Sequence, residues 1–217
     1  MNLRRRFSDA ELNRIKASVR EAEKKISGEI VPVIVEKSGY YTIANYKASL
    51  VAGSLVFLVI VIMDRLAPAR AVYDPLAILI LVVLAGMVGY VIPNFSMTVR
   101  RWFVTRQHMD HAAKQRAENA FLEEEIFNTR HRTGIMIFVS FFEHEVIVMA
   151  DRGISKVVDQ TEWDRIVNNL TRSIKDGKVV EGLEKAIARC GEILLEKGFV
   201  RTTDDVNELR DDLRING

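Results

Sequence analysis

The chain has 217 residues, with 31 Lys and Arg against 29 Asp and Glu, and a formal net charge of +2. This length suits one ordinary domain, or a small domain that carries a membrane element. The near-balanced charge, without a long basic stripe, gives no reason to expect nucleic-acid binding. The single cysteine, Cys190, excludes an internal disulfide and a zinc site built from several cysteines.

The first elements predicted are a helix and a buried strand. Ser8 and Glu11 form an S-x-x-E capping box where the helix begins, and Gly28 marks its end. The stretch EIVPVIVE, residues 29–36, is β-branched and almost continuously apolar, which favours a buried strand. Pro32 within it favours a bulge or a position whose amide side is free.

Two uncharged runs follow, at residues 48–63 and 75–99. The second is long enough to cross a bilayer, which takes roughly 20 residues, and the first reaches that length if its helix begins near Ile43. The polar linker DRLAPARAVYD between them is typical of a turn outside the membrane. The sequence therefore predicts a transmembrane helical hairpin with spans at about 43–63 and 75–99. The alternative is a buried core hairpin of a soluble protein.

Basic residues predict the orientation of this hairpin, because Lys and Arg are enriched in cytoplasmic segments. The loop carries Arg65 and Arg70, and the outer flanks carry a larger set: Lys37, Lys47, Arg100, Arg101, Arg106, Lys114 and Arg116. Both termini are therefore expected in the cytoplasm. The basic N-terminal stretch lacks an apolar run, so a secretory signal peptide is not expected.

After the second span there is no proline or glycine between Ser96 and Arg132, which predicts one helix that continues from the membrane to about Asn128. The segments TGIMIFVSFF and EVIVMA then predict two strands joined as a hairpin, with helices over both faces. Two amphipathic helices follow, ending at Gly177 and Gly198. The polar tail, residues 200–217, either forms a short helix over residues 204–215 or stays loose.

One strand before the hairpin cannot form a sheet alone. Residues 1–42 and 100–199 are therefore expected to fold together as a single split α/β domain, with residues 43–99 inserted into it as the hairpin.

The motifs FSDAEL, SGEIVPVIVE, RTGIMIFVSFFEHEVIVMADRGI and DGKVVEGLEKAI, in this order, resemble the TPM domain family. Within it the chain is similar to a bacterial branch that carries a transmembrane hairpin inside the domain. The resemblance implies a small three-layer, Rossmann-like α/β fold with helices on both faces of a short sheet. It also implies phosphatase activity or calcium binding in some members, and assembly or modulatory roles in others. Where secreted members show Gly-x-Gly and a nearby Glu, this chain has only Gly153.

Asp151 and Asp159 flank a turn at the end of a predicted strand, where ligands bind in open α/β sheets. Together they could hold Ca²⁺ or Mg²⁺, the only cofactors expected, with waters and carbonyls completing the coordination. Alternatively, Asp151 pairs with Arg152 or caps a helix, and Asp159 caps the next one. His108 and His111, one helical turn apart, permit metal binding or simply face solvent.

No P-loop, G-x-S-x-G or C-x-x-C motif is present, and Ser140 has no obvious base beside it. The sequence therefore favours a multi-pass protein of the bacterial inner (cytoplasmic) membrane, whose TPM-like domain serves as an interaction or assembly module. Its expected partners are the lipid bilayer and either another protein or a second copy of the chain. The alternative function is a divalent-cation-assisted phosphatase, with Asp151 and Asp159 as metal ligands.

Overall fold

The computed structural model describes residues 3–70, 72–202 and 207–216. The chain divides into two units, one formed by Met1–Ser38 with Asp110–Gly217 and the other by Gly39–Met109. Eight α-helices lie in the described residues: α1 Asp9–Glu23, α2 Thr42–Leu66, α3 Pro75–Phe95, α4 Met97–Phe103, α5 Arg106–Glu123, α6 Arg152–Ser155, α7 Gln160–Lys175 and α8 Val179–Glu196. The strands are β1 Glu29–Val35, β2 Gly134–Ser140, β3 Glu145–Ala150 and β4 Arg214–Asn216.

The first unit is built on a mixed sheet with the strand order β3-β2-β1-β4. β1 is parallel to β2 and β4, whereas β3 is antiparallel to β2. Because side chains alternate along a strand, Ile30 and Ile34 of β1 point to one face and Val31 and Val33 to the other. Helices α1, α7 and α8 cover the first face, and α5 covers the second. The expected three-layer α/β fold is confirmed.

The capping box at the start of the first helix is also confirmed, whereas α1 ends at Glu23, five residues before the predicted stop at Gly28. Glu11 N–H donates to Ser8 Oγ and Ser8 N–H donates to Glu11 Oε2, at 3.3 and 2.8 Å, so the capping box forms as the sequence indicated. The predicted strand hairpin is present as β2 and β3, in continuous register from Ile135↔Ala150 to Ser140↔Glu145.

Pro32 lies in an unbulged strand, because its missing donor falls on the side of β1 away from β2. Glu29 N–H donates to Thr133 and Val35 C=O accepts from Phe141, so odd-numbered residues of β1 face β2. Even-numbered residues face β4, which pairs only from Val33 onward. Pro32 therefore stands just before this pairing begins, where no ladder donor is needed.

The tail differs from both sequence expectations. Residues 204–206 lie outside the described part of the chain, and residues 207–213 are not helical. Arg214–Asn216 instead form β4, whose residues pair in parallel with the last three residues of β1. The pattern of this segment did not signal a strand because it is short and mixed in charge.

The prediction of one long helix after the second span is wrong. α3 ends at Phe95, and Ser96 has an extended backbone with φ −140° and ψ 115°. Pro93 lacks the N–H that a continuous helix would use, and the Ser96 hydroxyl accepts the Val99 N–H to begin α4. Val104, with φ −102° and ψ 133°, then separates α4 from α5.

In the second unit, α2 and α3 pack closely where small residues meet. A Cβ built on Gly89 would lie 2.6 Å from Ala52 Cβ and 2.7 Å from Ala48 O. Contact this close requires a glycine, and small residues are the usual means by which apolar helices approach one another in membranes. Tyr46 and Tyr90 also pack edge-on between these helices, with ring centroids 5.5 Å apart.

Replacing Gly89 with alanine should therefore destabilise the hairpin, because the added methyl group must push α2 and α3 apart. The expected loss is about 1–3 kcal/mol, as for overpacked sites generally. Thermal denaturation of the detergent-solubilised protein measures it. Gly53→Ala is the matched control, since its Cβ would meet Val82 at an ordinary 3.5 Å. Equal stability of the two variants would contradict the close packing.

Candidate functional site

Asp151, the first predicted metal ligand, closes β3 and begins the one-turn helix α6. Its Oδ1 accepts the Arg152 N–H at 2.7 Å, and its side chain is almost fully buried. Its Oδ2 lies 2.9 Å from Arg132 Nε, an ion pair without the directional geometry of a hydrogen bond. Asp151 thus acts as a helix cap and as the partner of a guanidinium group.

The packing around Gly153 explains why the Asp-Arg-Gly sequence has a glycine at its third position. Its N–H donates to Arg132 O at 3.0 Å, and a Cβ at this position would lie 2.6 Å from Arg132 O and 2.7 Å from His131 O. No side chain fits at such a distance, so α6 can lie against this backbone only through a glycine. The residue is needed for packing.

Asp159, the second predicted ligand, occupies the N-cap position of α7 and is exposed. Because β3 is antiparallel to β2, the end of β3 lies beside the amino ends of β1 and β2. The rule that ligands bind at carboxyl ends of parallel strands therefore does not apply to this edge. In the described part of the chain, no three His, Cys, Asp or Glu side chains are placed to share a metal ion. Binding of Ca²⁺ or Mg²⁺ by Asp151 and Asp159 stays a prediction.

The predicted histidine pair is likewise not joined to a third ligand within the described residues. The His108 ring packs edge-on against Tyr41, with ring centroids 5.8 Å apart. His111 is exposed.

At the opposite edge of the sheet, a buried polar cluster joins the carboxyl ends of β1 and β2. Ser140 Oγ donates to the Glu143 carboxylate, and Ser38 donates to it through its N–H at 2.8 Å. Ser38 Oγ also donates to Ser140 Oγ at 2.9 Å. The sequence interpretation that Ser140 has no base beside it is wrong. The S-x-x-E spacing of Ser140 and Glu143 was a signal that could have revealed the contact.

This cluster fixes a tight turn rather than presenting a nucleophile. Ser140 and Glu143 are 1 % and 0 % exposed, so a substrate atom has no access to the serine oxygen. The turn ends at His144, which has a left-handed backbone with φ 58°. A small cavity of about 380 Å³ lies alongside, lined by Ser140, His144, Thr171, Lys175 and mainly apolar neighbours.

Three buried carboxyl groups form a second cluster at the amino edge of β1. Glu23 Oε1 accepts the Ile30 N–H at 2.8 Å and so serves the part of the strand that β4 does not reach. Glu29 accepts the backbone N–H groups of residues 208 and 209, at 3.0 and 3.4 Å. Asp211 accepts from Arg20 Nε and Asn207 Nδ2, both at 2.6 Å. The cluster ties residues 207–211 to the domain just before β4.

The Glu23 carboxyl group holds its proton more tightly than an ordinary glutamate does. Burial raises the pKa of Glu23 to about 8, and the charges of Glu29 and Asp211 act in the same direction. Burial also raises the pKa of Glu29. Oε2 of Glu23 receives no hydrogen bond from the described residues, and it lies where a protonated carboxyl can donate to Asp211. A neutral Glu23 therefore completes the network.

The hairpin is the remaining candidate element. α2 has 25 residues and α3 has 21, and both are long and apolar enough to cross a membrane. Only 11 % of the most apolar part of α2 and 6 % of that of α3 is buried. A core helix of a soluble protein would be mostly buried, so this exposure argues against the alternative of a buried soluble hairpin.

Raising the pH from about 5 to about 8 should destabilise the domain. Glu23 binds its proton more tightly in the folded state than at the ordinary value of 4.5, so folding takes up a proton within this window. Glu23→Gln keeps the acceptor for Ile30 and supplies a donor to Asp211 without a proton. Its melting temperature should fall several degrees less than that of the parent across the window, measured by thermal denaturation.

Glu21→Gln is the control for this comparison, because Glu21 is an exposed neighbour on α1 paired with Lys24. It should keep the pH dependence of the parent. Parallel pH profiles for the parent and Glu23→Gln would contradict the protonated state.

Comparisons with known proteins found a matching protein family and a similar solved structure. The family model of the TPM domain matches residues 96–193. The NMR structure of the BA42 protein from the psychrophilic bacterium Bizionia argentinensis is similar over 97 % of this chain and 95 % of that one, with a TM-score of 0.58 and 18 % sequence identity, which shows a shared fold. No curated protein matches the sequence significantly. The chain therefore contains a TPM domain. This is the domain of the family that its sequence motifs resembled.

Proposed function

We propose that the chain is a multi-pass protein of the bacterial cytoplasmic membrane, in which the hairpin anchors a TPM domain that acts as an interaction and assembly module. The observation that carries this proposal is the exposed apolar surface of α2 and α3. Their large side chains include Leu50, Phe57, Leu79, Leu84 and Met87, each more than half exposed. A bilayer is the solvent in which such a surface is stable.

The distribution of cations supports cytoplasmic termini. Lys47 precedes the apolar core of α2, and Arg100, Arg101 and Arg106 follow α3. The loop between the two helices carries fewer cations, Arg65 and Arg70. The positive-inside rule therefore favours an orientation with the loop outside and the TPM domain inside.

The role as an interaction module is supported by the chemistry of the domain. Its buried polar groups, at Ser140 and Glu143 and at Glu23 and Asp211, are used to hold turns and the tail in place. By holding the turns and the tail, these buried side chains keep the outer surface of the domain in a fixed shape. A surface of fixed shape can bind a protein partner or a second copy of the chain.

Two leucines of similar exposure test the membrane anchor. Leu84, in the middle of α3, is 53 % exposed, and Leu122, on α5, is 59 % exposed. Leu84→Arg should lower the amount of protein that resists alkaline extraction of membranes, because an arginine at the centre of a span costs about 2.5–3.5 kcal/mol on insertion scales. Leu122→Arg should leave that amount unchanged. The anchor is wrong if both variants stay in the membrane equally well.

Reporter fusions in the same cells address orientation separately. A reporter after Gly217 should be active on the cytoplasmic side, and one within residues 67–71 should be active outside. The reverse pattern would overturn the orientation while leaving the anchor intact.

A second candidate function is a phosphatase assisted by a divalent cation bound to Asp151 and Asp159. It is favoured by the half-exposed guanidinium of Arg132, which lies against the Asp151 carboxylate and could receive a phosphate beside the metal. The open ligand set would be completed by water and backbone carbonyls.

If this function is correct, the purified protein should hydrolyse a phosphomonoester only when Ca²⁺ or Mg²⁺ is present. Asp151→Asn should abolish the turnover, because the amide keeps the helix cap and loses the charge that binds the metal. Asp164→Asn, a change at an exposed residue of α7, is the control. Absence of both turnover and a metal-induced thermal shift would exclude this candidate.

A further inference from the structure

The last described stretch of the chain is residues 207–216, the tail segment. Its carboxyl end, β4, pairs with only three residues of β1, Val33–Val35. Its beginning is held by a buried side chain, because the Glu29 carboxylate accepts the N–H groups of residues 208 and 209 at 3.0 and 3.4 Å. The tail segment therefore depends on side chains as much as on the strand ladder.

Further polar contacts hold the tail segment against the first unit. They are two ion pairs, Lys16–Asp212 at 2.6 Å and Arg214–Glu124 at 2.7 Å, and a hydrogen bond from the Arg130 N–H to the Glu208 carboxylate at 2.9 Å. Asp212 and Glu208 are exposed to solvent, and exposed charges contribute little to stability. The attachment therefore depends strongly on the buried groups around Glu23 and Asp211.

The tail segment closes a cavity of about 240 Å³ over Glu23. The end of α1 and the start of β1 line one side of this cavity, and Asn207 and Asp211 of the tail segment line the other. Glu23 is only 9 % exposed, and its Oε2 receives no hydrogen bond from the described residues. Departure of the tail segment opens the cavity to solvent and takes the Asp211 carboxylate away from Glu23.

Both negative and positive side chains surround the Glu23 carboxyl group. The negative ones are Glu29 from β1 and Asp211 from the tail segment. The positive ones each contact another group: Arg20 donates to Asp211 at 2.6 Å, Lys24 donates to Glu21 at 3.1 Å, and Arg201 donates to the Glu23 backbone carbonyl at 3.4 Å. The nearest side chain that the tail segment brings to Glu23 is therefore a carboxylate, which favours a neutral Glu23.

Attachment of the tail segment and protonation of Glu23 favour one another. The Asp211 charge, and the part of the burial that the tail segment supplies, raise the pKa of Glu23 only while the tail segment is attached. Once it leaves, this pKa falls towards the ordinary value of 4.5. Departure at neutral pH therefore releases a proton, so a rising pH favours departure. Burial also raises the pKa of Glu29, which acts in the same direction.

We propose that the tail segment is a pH-dependent edge of the sheet. With Glu23 protonated it stays paired to β1, and loss of that proton shifts the equilibrium towards a state in which the tail segment has left and the rest of the domain stays folded. Departure removes β4 and uncovers the edge of β1 at Ile34. This regulatory change goes beyond the proposed membrane anchor and does not rest on it.

Native-state hydrogen exchange of the full-length protein in detergent tests whether the tail segment opens separately. In β1 the Ile34 amide faces β4 and the Val33 amide faces β2, so two neighbours report on the two edges. Ile34 should be less protected than Val33, and low concentrations of urea should accelerate its exchange less, because departure of a short segment exposes little surface. Equal protection with equal urea dependence would show that the tail segment leaves only when the domain unfolds, and would overturn the proposal.

The pH dependence of the same amide tests the proton. An opening that releases one proton should lower the protection of Ile34, relative to the intrinsic exchange rate at each pH, by up to about tenfold per pH unit between about pH 6 and about pH 8. Above about pH 8 the protection should level off, because Glu23 is then ionised in both states. Protection of Ile34 that does not vary with pH would overturn the proposal.

Two substitutions assign the proton to Glu23. Glu23→Gln should make the protection of Ile34 independent of pH, whereas Glu21→Gln, at an exposed residue of α1, should follow the parent protein. If Glu23→Gln does not fold, Asp211→Asn serves instead. It removes a charge that raises the proton affinity of Glu23, so the protection should level off at a lower pH. A pH dependence retained by Glu23→Gln, or an unchanged profile in Asp211→Asn, would assign the proton to another group and overturn the proposal.

Discussion

The pairing of β1 with β2 is the contact on which the rest of the structure depends. The strands run in parallel and in register from Glu29↔Gly134 to Val35↔Ser140. Parallel strands require the chain to cross from the carboxyl edge of the sheet back to its amino edge, usually through a helix. Here α5 covers one face of the sheet within that connection, and the apolar hairpin lies in the same connection. The hairpin is thus inserted into a β-α-β crossover and leaves the sheet continuous.

On the side of β1 that faces away from β2, the need for backbone hydrogen bonds is met in three different ways. Ile30 donates to the buried Glu23 carboxyl, Pro32 has no N–H to satisfy, and Ile34 lies in the stretch paired with β4. These contacts depend on one another. The residues that lead into β4 are held by Glu29 and Asp211, which lie beside Glu23. A proton on Glu23 and the last strand of the chain are therefore parts of one arrangement. Buried polar groups of this kind are stable only when all their partners are present.

Much of the fold could be predicted because its signals are local. The capping box of Ser8 and Glu11, the β-branched run at the start of β1, and the uncharged lengths of α2 and α3 each depend on a few adjacent residues. The break at Ser96 was missed because serine can continue a helix or cap a new one, and its neighbours do not decide between them. β4 was missed because its pairing partner is distant in the chain and its three residues, Arg-Ile-Asn, are too few to show a strand pattern.

In the candidate sites, too, contacts between residues close in the sequence could be predicted, and contacts between residues far apart in the sequence could not. The capping position of Asp151 could be named from the sequence, whereas its ion pair with Arg132 depends on how β2 and β3 meet. The contact of Ser140 with Glu143 was within reach of the sequence, since three residues separate them. The contact of Glu23 with Asp211 was not, because it joins the first helix to the tail. Sequence patterns alone therefore identify candidate polar side chains. The topology of the fold decides which of these side chains contact one another.

The insertion also sets an order in time for synthesis. Ser38 and Ser140, which close the ends of β1 and β2, are 102 positions apart in the chain. At roughly 5–20 residues per second, the ribosome needs about 5–20 s to deliver the second after the first. During that interval β1 is a short apolar strand with both edges unpaired, a state prone to aggregation. Both apolar helices, α2 and α3, emerge within the same interval, so the nascent strand must stay unpaired until the rest of its sheet is made.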